Sequence, residues 1–157
     1  MNRLHVCSIV LISLLLICGC QPRDPRAKNL VRGQGQILLD GAPLAGATVA
    51  FRAVPENAFP YSSIGVTDEK GEFTVRTFLP NDGIHPGQYR AMVIAQVQIN
   101  ALSAEEIDRR EAAGLPIPNA VFRSLIPERY SDPDTSGIVV DIPDRGNRNI
   151  VINLQSE

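Results

Sequence analysis

This chain of 157 residues has few long apolar runs, few histidines and no excess of basic charge. The longest apolar stretch, residues 6–17, is interrupted by Cys7, Ser8 and Ser13. It is shorter than the ~20 residues that a membrane-spanning helix needs, which excludes a conventional span. The 15 basic and 17 acidic residues give a net charge of -2. This balance lacks the positive footprint of a nucleic-acid-binding protein, so we expect no nucleic-acid partner.

The N-terminus has the pattern of an export signal. Arg3 precedes the short apolar stretch, and Ile-Cys-Gly-Cys follows at residues 17–20. This tetrad resembles the lipobox of bacterial lipoproteins, in which a peptidase cuts before a cysteine whose thiol carries diacylglycerol. The alternatives are a plain secretory signal and an uncleaved anchor. We predict a signal peptide over residues 1–19, cleavage between Gly19 and Cys20, lipidation of Cys20, and a tether over residues 20–30.

Cysteine is also scarce, and the predicted processing accounts for all of it. Cys7 and Cys18 leave with the signal and Cys20 is acylated, so the mature chain is expected to contain neither a disulfide nor a free thiol. With His85 as its one remaining histidine, the mature chain cannot build a zinc site of the usual kind. We therefore expect no cofactor, and a membrane partner that is engaged through the lipid on Cys20. The expected location is the cell envelope, facing the periplasm or the cell surface.

The remaining sequence is dominated by short alternating segments separated by turns. Asp40-Gly41 and residues 68–71 are turn signals, and we expect Gly71 to adopt a positive φ. The pattern predicts one all-β domain over residues 31–155, an antiparallel sandwich of about seven strands. The predicted strands are 35–39, 47–53, 63–67, 72–77, 89–97, 137–142 and 149–154, with 89–97 placed centrally. The predicted core comprises Val49, Phe51, Phe73, Val75, Tyr89, Ala91, Val93, Ile138, Val140, Ile150 and Ile152.

An insertion over about residues 98–136 interrupts the strand pattern. Ser103 with Glu106 three residues later is a capping box, Glu105–Arg109 and Glu106–Arg110 are spaced as i,i+4 pairs, and Gly114 ends the predicted helix. Long insertions on a rigid scaffold often carry binding residues. Others cover a sheet edge, and the sequence leaves both interpretations open. If the insertion binds a partner, the candidate contact residues are Leu115, Ile117 and Tyr130.

Four segments resemble a known family. Residues 35–49 resemble the opening motif of carboxypeptidase-regulatory-like domains, and residues 66–73 and 86–89 resemble their second and third motifs. Residues 126–137 resemble the closing segment of small bacterial lipoproteins built on such a domain. The resemblance implies a transthyretin-like sandwich, and we expect the fold to be of this or of the immunoglobulin-like kind. It implies no reaction, because a fold does not determine chemistry.

Two sets of residues invite a more specific interpretation. His85 lies in a turn before Pro86 with no nucleophile pattern beside it, so we interpret it as a loop histidine rather than a catalytic base. Asp132, Asp134 and Ser136 match the first half of a calcium-binding loop, D-x-D-x-S-G, but the twelfth position is Pro143 where the loop needs glutamate. The alternative is a turn in which these side chains bond to the local backbone.

The sequence therefore favours a non-catalytic, membrane-anchored module of the cell envelope, with a structural or protein-interaction role. The alternative is a carbohydrate- or calcium-binding module of the envelope. A hydrolase acting through paired carboxylates would need a defined separation across a cleft, which sequence does not show.

Overall fold

The computed structural model describes residues 25–54 and 59–157. This part of the chain contains ten strands, one α-helix, and short 3-10 turns at Pro25–Ala27 and Glu128–Ser131. The strands are β1 (Gly33–Leu39), β2 (Ala42–Pro43), β3 (Thr48–Ala53), β4 (Ser63–Val66), β5 (Glu72–Thr74), β6 (Gly87–Ile94), β7 (Gln96–Gln98), β8 (Phe122–Ser124), β9 (Ile138–Ile142) and β10 (Asn147–Leu154). The helix, α1, spans Ala104–Ala112.

The strands form the predicted all-β sandwich. One sheet has the order β10-β1-β2, with β5 also paired to β1, and the other has the order β4-β3-β6-β9. A bridge between Ile64 and Arg76 links the two sheets along one side. The third sheet is the two-stranded pair β7-β8. The predicted central position of the strand after Gly87 is confirmed, since β6 lies between β3 and β9.

The structure corrects the predicted sandwich in two respects. It has three short strands, β2, β7 and β8, beyond the seven predicted ones. Its pairing is not wholly antiparallel, because β1 and β10 run parallel from Gly33↔Asn147 to Leu39↔Leu154. The parallel pair joins the first and last strands of the domain, so no hairpin connects them, and alternation along a strand carries no information about its direction.

The core forms where the alternating apolar residues of both sheets face each other. All the predicted core residues are buried except Ile138, which is half-buried and packs against the core. Phe51 contacts the ring of Phe73 at 6.1 Å and meets Tyr89 edge-on at 6.3 Å between centroids. Each fully buried side chain of this size contributes roughly 1.5–3 kcal/mol, so these three rings together contribute several kcal/mol to the stability of the sandwich.

The sandwich has two opposite ends. At the first, here called the tether pole, the chain enters beside Val31, which is hydrogen-bonded in both directions to Ile84 (2.8 and 2.9 Å). β6 begins at this end with Gly87 and leaves it toward Ile94, seven steps later. At ~3.3 Å per residue that is about 23 Å. The far end, here called the arm pole, carries β7, α1 and β8.

Candidate functional site

The tether pole is built around aromatic rings from separate loops. Tyr61 contacts Phe59 at 5.3 Å and Phe78 at 5.0 Å between centroids, both nearly edge-on. The guanidinium of Arg26 lies 4.9 Å from the Phe78 ring centre and 5.9 Å from that of Tyr61. These cation–π contacts fix the 3-10 turn of Pro25–Ala27 on the rings, so the chain leaves the sandwich at a defined place.

The neighbouring turn over residues 79–82 is rigid. The Asp82 carboxylate accepts hydrogen bonds from the backbone N–H groups of Thr77 (2.7 Å), Phe78 (2.9 Å) and Leu79 (2.8 Å). One side chain thus orders the whole turn by bonding to its backbone. Leu79 remains 51% exposed beside Phe78.

His85 lies in a loop, as predicted, but it is partly buried rather than on the surface. Its ring lies against Phe59, and its Nε2 atom is buried without a hydrogen-bond partner among the described residues. Its backbone carbonyl accepts a hydrogen bond of 2.9 Å from the Tyr89 hydroxyl, and burial raises the pKa of Tyr89 to about 12. Within residues 25–54 and 59–157, no group is hydrogen-bonded to Nε2, so this part of the chain does not pair His85 with the nucleophile that a histidine base needs.

The arm pole carries a projecting segment, residues 96–125, here called the arm. It begins after the buried Ala95 and ends before the buried Ile126. The predicted strand 89–97 is therefore two strands, because the chain leaves the β3-β6-β9 sheet at Ala95 and β7 pairs with β8 instead. The predicted insertion, 98–136, is likewise divided: residues up to 125 form the arm, whereas Ile126, Tyr130 and Ser136 are buried in the sandwich.

One face of the arm hairpin carries four aliphatic side chains, with Arg123 among them. Val97 pairs with Arg123, the N–H of Ile99 donates to Val121, and the N–H of Leu125 donates to Ala95. Since paired residues share a face and faces alternate with period two, these positions line one surface. Here called the arm stripe, it consists of four exposed aliphatic residues: Val97, Ile99, Val121 and Leu125.

The helix at the tip of the arm forms as predicted. The Ser103 hydroxyl accepts a hydrogen bond from the N–H of Glu106 at 3.2 Å, and Glu106 pairs with Arg110 at 2.8 Å. Arg109 pairs with Glu106 rather than with the expected Glu105. Asn100 closes the loop beyond the helix, donating to the Asn119 carbonyl and accepting from the N–H of Val121, both at 2.7 Å.

The three candidate interaction residues do not form one surface. Leu115 and Ile117 are exposed on the arm, as a contact requires, but Tyr130 is 7% exposed. The Tyr130 hydroxyl accepts a hydrogen bond of 3.1 Å from the N–H of Gln155, which lowers the pKa of the phenol, and Arg129 lies over its ring. The prediction that Tyr130 is a contact residue is therefore wrong. Tyr130 packs into the sandwich and holds the C-terminal residues.

The calcium candidates have other partners. The Asp134 carboxylate is paired with Arg52 and with Arg90 (2.7 Å), and the hydrogen bonds from Arg52 and Arg90 lower its pKa. Asp132 accepts from the N–H of Asp134, and the buried Ser136 hydroxyl donates to the carbonyl of Ala91. Within the described residues, no three His, Cys, Asp or Glu side chains converge as a metal site would require. These side chains build the turn that leads into β9.

A polar cleft of about 720 Å³ lies on the outer face of the sheet that contains β1, β5 and β10. Gln34 and Gln36 of β1 line it, together with Arg76, Arg148 and Asn149. The Gln36 amide already donates to the carbonyl of Lys70 at 2.8 Å. Among the described residues that line the cleft, Phe73 is the one aromatic residue and it belongs to the core, so none of them offers an exposed ring on which a sugar could stack.

The sequence predicted neither the arm stripe nor the ring cluster of the tether pole. Val97 is the last residue of the predicted strand 89–97 and Ile99 falls in the predicted insertion, so the sequence did not link them to Val121 and Leu125. No local pattern marks Tyr61 and Phe78, since rings that are far apart in sequence meet only after folding. The predicted signal peptide and Cys20 lie outside the described residues.

Comparisons with known proteins identify no family. No protein-family model matches the chain, and no curated protein matches it. One similar solved structure is the 9R-lipoxygenase from Cyanothece PCC8801, at 14% identity and a TM-score of 0.36. The match covers 98% of this chain and 20% of that protein, so this chain spans about a fifth of its length. Across residues 25–54 and 59–157, no helix has the length and apolar character needed to cross a bilayer.

Proposed function

We propose that this chain is a lipid-anchored, non-catalytic protein of the bacterial cell envelope that presents its arm to another envelope protein. The anchor is the diacylated Cys20, and the sandwich is of the carboxypeptidase-regulatory-like kind. The N-terminal pattern of residues 1–20 supports the anchor, and the motifs at residues 35–49, 66–73 and 86–89 support the family. Two acyl chains suffice for stable anchoring, where a single chain is marginal.

The arm stripe carries the proposal. It exposes four aliphatic side chains, and Leu115 and Ile117 add further exposed apolar area on the same arm. Several exposed apolar side chains on one face, with a charged residue such as Arg123 beside them, are typical of a contact site. The arm leaves the sandwich about 23 Å of strand away from the tether, so an anchored molecule would present the stripe away from its own membrane attachment.

A photo-crosslinking residue at Val121 tests the interaction. Val121 is 49% exposed on the arm stripe, and Val151 is 58% exposed on the outer face of β10, which makes it a matched control. In intact cells we expect a discrete crosslinked protein at Val121 and none at Val151. Equal crosslinking at both positions, or none at Val121, would contradict the partner-binding role.

The anchor is tested separately with Cys20→Ser. This change removes the thiol that receives diacylglycerol, so the protein should leave the membrane fraction or retain its signal peptide. Mass spectrometry of the N-terminus measures the modification directly. A free, unmodified Cys20 in the mature protein would refute the anchor and leave the crosslinking result intact.

A further inference from the structure

The position of the anchor restricts what can lie next to the membrane. Five residue steps separate Cys20 from Pro25. Five steps of extended chain reach at most about 18 Å. Because Arg26 holds the start of the described chain against Phe78 and Tyr61, the tether pole must lie within that distance of an acylated Cys20.

The chemistry of this pole matches a lipid surface. Residues 25–32 contain the exposed cations Arg26, Lys28 and Arg32 and no carboxylate. Asp82 adds one negative charge in the neighbouring turn, where three backbone N–H groups bond to its carboxylate, so the three cations outnumber it. In the β9–β10 turn, Arg145 lies next to Asp144 in the chain, so this turn adds no net charge.

Exposed amphipathic and apolar side chains accompany these cations. Tyr61 is partly exposed with its ring on Phe78, and Leu79 protrudes from the turn that Asp82 holds rigid. Tyrosine is enriched at membrane interfaces, where its ring and hydroxyl meet different environments. Basic residues within a Debye length of an anionic leaflet are attracted to it.

We infer that the tether pole is a membrane-contact surface that lies on anionic phospholipid head groups, with Leu79 and Tyr61 reaching the interface. The inference rests on the proposed anchor at Cys20 and adds an orientation to it. The pole faces the bilayer, and the arm stripe points away from it. A short lipid tether alone would allow the domain to tumble, whereas this contact fixes one end against the membrane.

The chain contains no tryptophan, so one introduced tryptophan is an unambiguous reporter. The test uses the full lipidated protein with Leu79→Trp, reconstituted in vesicles of phosphatidylethanolamine and phosphatidylglycerol. Leu115→Trp on the arm is the matched control, since the two leucines are 51% and 54% exposed. Vesicles whose acyl chains carry bromine quench only a tryptophan that reaches the interface.

We expect brominated vesicles to remove most of the Leu79→Trp emission and to leave the Leu115→Trp emission unchanged. Adding Lys28→Glu should weaken the quenching of Leu79→Trp in these vesicles and should have little effect in phosphatidylcholine vesicles. Lys28→Glu without effect in the anionic vesicles would overturn the head-group contact.

Flotation of the vesicles separates the two proposals. Protein that floats with an acylated N-terminus while its Leu79→Trp emission stays unquenched would overturn the membrane-contact surface and leave the anchor intact. Protein that fails to float would refute both. Quenching of Leu115→Trp would overturn the orientation, because the arm would then lie on the bilayer.

Discussion

At the scale of single residues, the turn over residues 68–71 shows how one backbone position can be constrained twice. Gly71 has the predicted positive φ, at 71°. Asp68 holds the turn by accepting hydrogen bonds from the N–H groups of Lys70 and Glu72, both at 2.9 Å. A Cβ at Gly71 would also lie 2.6 Å from the carbonyl oxygen of Ile37, which the sequence did not indicate.

Gly71→Ala should therefore cost more stability than Gly46→Ala. The two glycines have nearly the same φ, 71° and 68°, but nothing lies within 4 Å of a Cβ at Gly46. Each substitution carries the left-handed penalty of about 1–2 kcal/mol, and only Gly71→Ala adds a backbone collision. Denaturant unfolding measures both, and equal losses would show that the β1 backbone moves away without cost.

At the scale of elements, α1 depends on its own end rather than on packing. None of its nine residues is buried. Helices this short are marginal in water, so local interactions must hold it in place. The Ser103 cap and the ion pairs from Glu106 to Arg109 and Arg110 supply those interactions.

Ser103→Ala should unfold the helix locally, since loss of an N-cap costs about 1 kcal/mol. Amide hydrogen exchange over residues 104–112 should accelerate while the melting temperature of the sandwich stays unchanged. Ser103→Asp is the matched control, because aspartate also caps. Unchanged exchange in Ser103→Ala would mean that contacts other than the cap hold the helix.

At the scale of the whole molecule, the structure bears on the two interpretations of the insertion. The arm forms its own two-stranded sheet and pairs with neither β4 nor β9, the edges of the four-stranded sheet. None of the residues 101–118 is fully buried, and most are exposed. The arm therefore projects from the sandwich rather than closing one of these edges by strand pairing.

Replacing residues 101–118 with a short Gly-Ser linker should leave the sandwich folded. We expect a melting temperature within about 3 °C of the parent and a monomer in size-exclusion chromatography, because little buried surface is lost. Crosslinking from Val121 should fall because the tip no longer supports the stripe. Aggregation or a much larger drop in melting temperature would instead identify the segment as an edge cover.

The sequence alone was sufficient to predict the features that short-range interactions determine. Period-two alternation located the seven main strands and the buried residues, from Val49 to Ile152. Turn chemistry located Gly71, and the cap at Ser103 located the helix start. Each of these features depends on neighbours a few residues away, so the local amino-acid sequence is enough to predict it.

Only the tertiary structure determined the features that require contacts between residues far apart in sequence. The parallel pairing of β1 with β10, the departure of β7 from the sheet after Ala95, and the burial of Tyr130 all involve partners far along the chain. The same holds for the ring cluster of Tyr61 and Phe78 and for the ion pairs of Asp134. Alternation reports which face of a strand is apolar, whereas strand order, and therefore which end holds the tether and which the arm, is set only when the two sheets pack.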